Sequence, residues 1–309
     1  MQELVIVGVP TALGGHLGGM ERTPGRLREA GLPDRLADAL SMSVVDAGDV
    51  PIDPGFAPDP HPTAKNADRI AAFLPLEAGL VARTGAGATN GASRLLILGG
   101  DCTAHAGALA GLRRARPQAR FAIAWFDAHG DLNTPDTTPS GNVWGMPFAM
   151  LLGRGRPDLV AACDGPTVAP EDAALVGGQV LDEPESRWLA ASPVAHFGAG
   201  MVRTAAGLAA LEAWARVVST RTDGVYVAVD MDCLDPSTGV GVQMPEPGGL
   251  ALETLLAVVR ALDRALGVVG VGATGVNLVG RDPGPTVDAI VALATAAFRD
   301  GDGGGDRPR

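Results

Sequence analysis

Residues 125–146 read W-F-D-A-H-G-D-L-N-T-P-D-T-T-P-S-G-N-V-W-G-M. The apolar run 121–126 delivers Asp127, His129 and Asp131 at alternate positions, just where it stops being apolar. A strand's period of two points alternate side chains the same way, so three metal-capable groups converge at one strand end. An isolated D-x-H-x-D is equally well a solvated turn, and a second motif has to decide. Residues 225–234, V-Y-V-A-V-D-M-D-C-L, supply it: another buried-looking strand that ends in Asp230 and Asp232 with the same spacing.

Outward from these two strands the chain alternates. Short apolar, β-rich runs at 4–9, 44–49, 94–98, 174–178, 194–197 and 268–276 predict further strands. Between them, helical patterns fall at 64–82, 101–112, 147–153, 205–218, 250–266 and 286–298, with Leu208, Leu211 and Trp214 on one apolar face of 205–218. Near the start Thr23 is placed to cap a helix that has Pro24 at its first position and Gly31 as its stop. The proline-rich stretch 51–62 reads as a surface loop and 85–91 as the loose end of a helix. Strand–helix alternation implies a parallel sheet covered on both faces. No repeat or domain break interrupts it, so residues 1–298 are expected to form a single α/β domain, with 299–309 a disordered tail. In such sheets ligands sit beyond the carboxyl ends of the strands. That is where Cys102, Asp127, His129, Asp131, Asp230 and Asp232 fall.

Bulk properties narrow the classes. The chain has 309 residues, 46% of them hydrophobic, enough for a sizeable core. Its formal net charge of -11 leaves no basic surplus to release counterions from a phosphate backbone, so nucleic acid is not an expected partner. Three widely separated cysteines, Cys102, Cys163 and Cys233, argue against a disulfide framework and for a reducing compartment. The beginning carries Glu3 and lacks a secretory signal's basic and long apolar regions, and no uncharged run is long enough to span a bilayer. The expectation is a cytoplasmic protein without a membrane partner. Lys65 is the one lysine among 24 basic residues, read here as genome composition. His16, in the glycine loop G-G-H-L-G-G, reads as a solvated histidine, with substrate contact as the alternative. Cys102 falls in the first turn of a helix, where a thiolate is stabilised, although a buried inert cysteine reads equally well. His105, one turn on, reads as a packing residue of the helix face.

The ordered motifs G-G-M-E-R-T-P-G-R-L-R-E-A-G-L, D-A-G-D, G-G-D-C, D-A-H-G-D-L-N-T-P-x-T-T-x-S-G-N and D-M-D-C-L-D-P followed by G-G-L run along most of the chain. In these the sequence resembles the arginase/agmatinase ureohydrolases. The resemblance implies a three-layer α/β sandwich around a central parallel sheet, and a site for two divalent metal ions, usually manganese, that activates a bridging hydroxide. It further implies a small-molecule substrate and a homo-oligomer, trimer or hexamer. Carried over residue by residue, it makes Asp127 and Asp230 bridge the two metals; Asp131 and Cys102 complete one site, and His129 with Asp232 the other. Asp131 is also the group able to take the hydroxide's proton. Asn133 and Ser140 match positions that bind an amino-acid carboxylate, and Asp182 and Glu185 match acidic positions near the α-amino group.

Three departures set limits. Cys102 stands where the family has a metal-binding histidine, Trp144 where arginases have an acid–base histidine, and Gly275 where a glutamate grips the guanidinium. Indole offers only an N–H donor and cannot shuttle protons near neutral pH, so Trp144 is left as a wall or stacking surface for substrate. Loss of the glutamate removes a charge-assisted bidentate partner, so ordinary arginine hydrolysis is expected to be poor or absent. Four aspartates balance two divalent ions, and a thiolate at Cys102 adds one negative charge. Thiolate is a soft ligand whereas manganese prefers oxygen and nitrogen, which leaves zinc, iron or cobalt open beside manganese, and also the filling of one site alone.

Two functional readings of different class follow. The first is a metal-dependent hydrolase of a C–N bond in an arginine-like or N-substituted guanidino, amidino or amide compound. The second is a non-catalytic relative that binds an amino-acid-like ligand or a protein partner. An unrelated chemistry on the same fold stays open as well.

Overall fold

The computed structural model describes residues 2–52, 55–85 and 93–298. The expected tail at 299–309 and most of the loop at 85–91 lie outside the described residues. Strands β1 (Glu3–Val9), β2 (Ser43–Asp49), β3 (Ser93–Gly99), β4 (Phe121–Asp127), β5 (Ala173–Gly177), β6 (Ala195–Gly198), β7 (Gly224–Asp230) and β8 (Val268–Thr274) form one sheet in the order β2-β1-β3-β8-β7-β4-β5-β6. Every pairing between neighbours is parallel.

The central strands β4, β7 and β8 are buried at every position, as expected for a parallel sheet covered by helices on both sides. Their side chains divide by parity. Ala122, Ala124 and Phe126 join one core cluster while Phe121, Ile123 and Trp125 join the other. Helices α1 (Thr23–Glu29), α2 (Leu32–Ala39), α3 (Ala67–Arg83), α4 (Ala104–Ala115), α5 (Pro147–Leu151), α6 (Pro157–Ala162), α7 (Glu183–Ala191), α8 (Ala199–Val202), α9 (Ala205–Val218), α10 (Leu252–Leu266) and α11 (Gly284–Phe298) supply the outer layers. Apolar residues of α1, α2, α9, α10 and α11 fill the first cluster, and those of α3 to α6 fill the second. A fully buried Leu, Ile or Val side chain contributes about 1.5–3 kcal/mol, so these two layers carry the fold. The three-layer sandwich with a central parallel sheet is as expected.

Several local expectations need correction. Thr23 is the first residue of α1 rather than its cap, and its Oγ1 instead donates to Val276 O at 2.6 Å, tying the helix to the loop after β8. Gly31 does not end a helical region: in the left-handed conformation, φ 77°, it turns the chain directly into α2. That helix and α6 and α7 were not anticipated. Strand β8 stops at Thr274, so the backbone around Gly275 belongs to the loop beyond the sheet.

Parity places the site. Asp127 shares its side of the sheet with Ile123 and Trp125, and Asp230 with Tyr226 and Ala228. Because β4 and β7 are neighbours in register, Phe126 opposite Val229, the two carboxylates meet at adjacent strand ends. Thr274 pairs with Asp230 from β8, and Cys102 follows β3, the next strand over.

Candidate metal centre and its cavity

Beyond these strand ends lies a cavity of about 270 Å³. Of the residues expected at the site, Cys102, His129, Asp131, Asn133, Ser140, Trp144, Asp182, Glu185, Asp230 and Asp232 line it, and Asp127 closes its floor, buried beneath His129. Potential ligand atoms of Cys102, Asp127 and Asp131 lie within 4.8 Å of one another, as do those of Asp127, His129 and Asp232. The two groups share Asp127, so the arrangement has room for two cations.

The carboxylates are braced from behind. Trp125 Nε1 donates to Asp127 Oδ2 at 3.0 Å, and the backbone N–H groups of His129, Ala128 and Asp232 donate to Asp127, Asp232 and Asp230 respectively. His129 Nδ1 lies 3.3 Å from Asp127 Oδ1 and 3.1 Å from Asp232 Oδ2. Its Nε2 is 3.7 Å from Glu246 Oε1, a carboxylate the sequence had not singled out. Cys102 Sγ lies 2.7 Å from Asp230 Oδ2. Asp131 adopts φ 50°, a conformation uncommon for a residue with a side chain, and its Oδ2 is buried without a hydrogen-bond partner.

Electrostatically the cluster lacks cations. Its lining includes neither lysine nor arginine among the described residues. Burial, then the charges of Asp127 and Asp230, push the Asp131 carboxyl well above the usual range. Burial with Asp230 and Asp127 does the same to Asp232, and burial with Asp127 raises Asp230 to about 6. Asp127 moves the other way: burial opposes ionisation, but hydrogen bonds from His129 and Trp125 prevail. Burial, reinforced by Asp230 and Asp131, raises the Cys102 thiol well above its ordinary value. Buried carboxylates without compensating charge are costly. An unpartnered Asp131 oxygen among hard oxygen and imidazole donors is what a divalent cation fits.

The rest of the cavity is built on the loop after β4. Asn133 Nδ2 donates to Asp182 Oδ2 at 2.8 Å, and Thr137 Oγ1 donates to Asn133 Oδ1 at 2.9 Å. Glu185 is already engaged. It accepts from Leu132 N at 2.9 Å and from Asp182 N at 3.0 Å, and with Asp182 it forms the capping box that starts α7. Lys65 Nζ donates to Ser140 O at 2.5 Å and to Asn142 Oδ1 at 2.8 Å, so the single lysine staples this loop. Asn142 is thereby oriented, because ammonium only donates. Its Nδ2 must be the group that donates to His16 Nδ1, at 3.0 Å. His16 is exposed, as expected of a solvated loop residue, yet it lines the cavity with its ring 5.7 Å from that of Trp144. Met20, Gln243 and Met244 complete the wall near Gly275, and none had been singled out from the sequence.

Comparison with known proteins fits this geometry. The family described as "Arginase family" matches residues 2–297. The chain belongs to the arginase family. An arginase of Bacillus caldovelox is 33% identical over 300 residues, covering 96% of this chain and 98% of that protein. The crystal structure of the Bacillus caldovelox arginase superposes with a TM-score of 0.85 at 31% identity, covering 100% of both chains. A formimidoylglutamase of Bacillus subtilis, at 20% identity, shares the fold with a TM-score of 0.76, over 99% of this chain and 89% of that one.

Within the arginase fold, the three departures occupy one cavity. Cys102 and Gly275 flank Asp230, and the Trp144 ring lies over Gly15 on the opposite wall. Among the described residues no helix is long and apolar enough to cross a membrane.

Proposed function

We propose that the protein is a metal-dependent hydrolase of a C–N bond in an amino-acid-like compound whose distal guanidino, amidino or amide group is N-substituted, and that arginine itself is a poor substrate. The observation that carries this reading is the joint presence, in one cavity, of the two ligand groups sharing Asp127 and of Gly275 and Trp144. Asp127 and Asp230 would bridge two divalent ions, Cys102 and Asp131 would complete one site, and His129 and Asp232 the other. Manganese is the ion the family suggests; zinc, iron or cobalt suits the sulfur better. Ions held there would supply acidification of water and compensation of the negative charge developing on the substrate.

The chain's own residues divide the remaining work. Asp131, with Oδ2 free of other partners, accepts the proton of the attacking water. Asn133, its amide orientation fixed by Thr137 and Asp182, and the Ser140 hydroxyl hold the substrate carboxylate. Asp182 keeps a carboxylate at the mouth for the amino group, while Glu185 acts through its support of Leu132 and α7. Trp144, Met20 and Met244 offer an apolar wall where a charged guanidinium would need a carboxylate. Proton delivery to the leaving nitrogen falls to His16: Asn142 occupies its Nδ1, so the neutral ring carries its proton on Nε2.

Metal analysis of the purified protein, followed by a screen of N-substituted guanidino, amidino and amide amino acids for release of urea or amine, tests the reading. Turnover of such a compound with little turnover of arginine is expected. Absence of bound metal and of turnover with manganese, zinc, iron or cobalt would overturn it. Ligand binding without turnover would favour the non-catalytic reading, which replacement of the acid–base histidine by Trp144 supports.

A further inference from the structure

Behind Cys102 lies a line of buried polar side chains that the hydrolytic reading does not use. Cys102 Sγ is 3.5 Å from Thr274 Oγ1, Thr274 Oγ1 is 3.0 Å from His105 Nε2, and His105 Nδ1 is 3.1 Å from the Tyr226 hydroxyl. Thr274, His105 and Tyr226 are each fully buried. The residues come from β8, α4 and β7, and they meet only because position 272 is glycine. A Cβ there would lie 2.4 Å from the Tyr226 hydroxyl and 2.6 Å from His105 Nδ1.

The direction of every bond can be worked out. A neutral imidazole has one donor and one acceptor nitrogen, and burial drives His105 down to about 3, so the ring is neutral. Among the described residues the Tyr226 hydroxyl has no acceptor other than His105 Nδ1. A buried O–H left without an acceptor is costly, so Tyr226 donates to Nδ1 and the His105 proton sits on Nε2. His105 then donates to Thr274 Oγ1, and the threonine hydrogen is free to point onward. Its choices are Val229 O at 3.4 Å, long for a bond between oxygens, and Cys102 Sγ at 3.5 Å, ordinary for the larger sulfur atom.

We propose that Tyr226, His105 and Thr274 form a one-directional chain of hydrogen bonds that ends on Cys102 Sγ and positions that sulfur as a cation ligand. Imidazole ligands of metals are commonly oriented by a partner on their far side; here the ligand is sulfur, and a donating hydroxyl takes that part. The sulfur keeps a donor from Thr274 whether it faces Asp230 or a cation. The three residues are positioning residues, since none of them faces the cavity.

The inference rests on the reading of the cluster as a metal centre, and cobalt(II) separates the two. The intact protein is stripped with chelator and titrated with cobalt(II) while absorption is followed in the near ultraviolet, where a cobalt–thiolate bond has a charge-transfer band. The wild type should show the band and Cys102→Ser should lose it, although Cys163 and Cys233 remain. Thr274→Val should weaken cobalt binding about 10–100-fold and shift or weaken the band. Tyr226→Phe, which removes one hydroxyl far from the metal, should act in the same direction by less. Melting temperatures of the metal-free variants report folding, and Tyr226→Phe serves if Thr274→Val does not fold. A wild type that takes up no cobalt overturns both readings. A wild-type band with both variants matching the wild type in affinity and spectrum overturns this inference alone, and a band that survives in Cys102→Ser overturns it too.

Discussion

A Cβ built on Gly275 would lie 2.0 Å from Asp230 Oδ1, and Gly275 itself sits at φ +69°. The missing side chain at this position is therefore part of how Asp230 is seated. Gly275→Ala should cost about 1–3 kcal/mol in backbone strain and displace Asp230, lowering both the melting temperature and the metal content. Gly275→Glu should suffer more and should not create an arginine-cleaving enzyme. Metal analysis beside arginine turnover checks this; a Gly275→Glu protein that is fully loaded and cleaves arginine would refute the account of the loop.

His16 and Lys65 make a second prediction. If His16 protonates the leaving nitrogen, His16→Asn should lower kcat by about 10²–10⁴-fold. The deficit should shrink for substrates whose leaving amine is weakly basic, because such amines depart without help. Lys65→Met frees Asn142 and Ser140, so it should act in the same direction more weakly and raise KM as well. Equal loss for strongly and weakly basic leaving groups would place His16 in binding only.

These two cases also show what was legible in the sequence. Asp127 and Asp230 could be read because local period and strand ends fix where they point, and the sheet followed from alternating elements. The capping box of Asp182 and Glu185 was equally local, but reading those acids only for substrate hid α7. Gly31 looked like a stop because a left-handed glycine ends a helix and, as here, also turns into the next. The Tyr226–His105–Thr274 line and the Asn142–His16 contact join residues more than 100 positions apart. No local period encodes such contacts; they exist once β7, β8 and α4 are packed.

Asp131 separates binding from stability. In the metal-free protein its Oδ2 has no partner and faces the carboxylates of Asp127 and Asp230. Asp131→Asn removes a buried charge from that group, so the metal-free variant should melt higher than the metal-free wild type. Saturating manganese or cobalt should reverse the order, since a ligand at 100 times its Kd stabilises by about 2.7 kcal/mol and the variant should bind poorly. Thermal unfolding with chelator and with metal is the measurement. The same ranking under both conditions would mean that Asp131 does not hold a cation.

Glu77 offers a test away from the site. It lies fully buried in α3 with both carboxyl oxygens unpartnered, close enough to α4 that a Cβ on Gly107 would meet its Oε2 at 2.2 Å. Burial, helped by Asp101, pushes its carboxyl well above the ordinary 4.5. The folded protein then keeps this proton where the unfolded chain has released it. Stability is thus fully present below about 4.5 and is lost as pH rises toward the folded value, at up to about 1.4 kcal/mol per pH unit. Glu77→Met preserves length and removes the group, so it should gain most over the wild type at pH 8 and little at pH 4.5. The other raised carboxyls are common to both proteins and cancel in the comparison. Melting curves across this range decide it: parallel pH dependence in the two proteins would mean that Glu77 is compensated in the folded state.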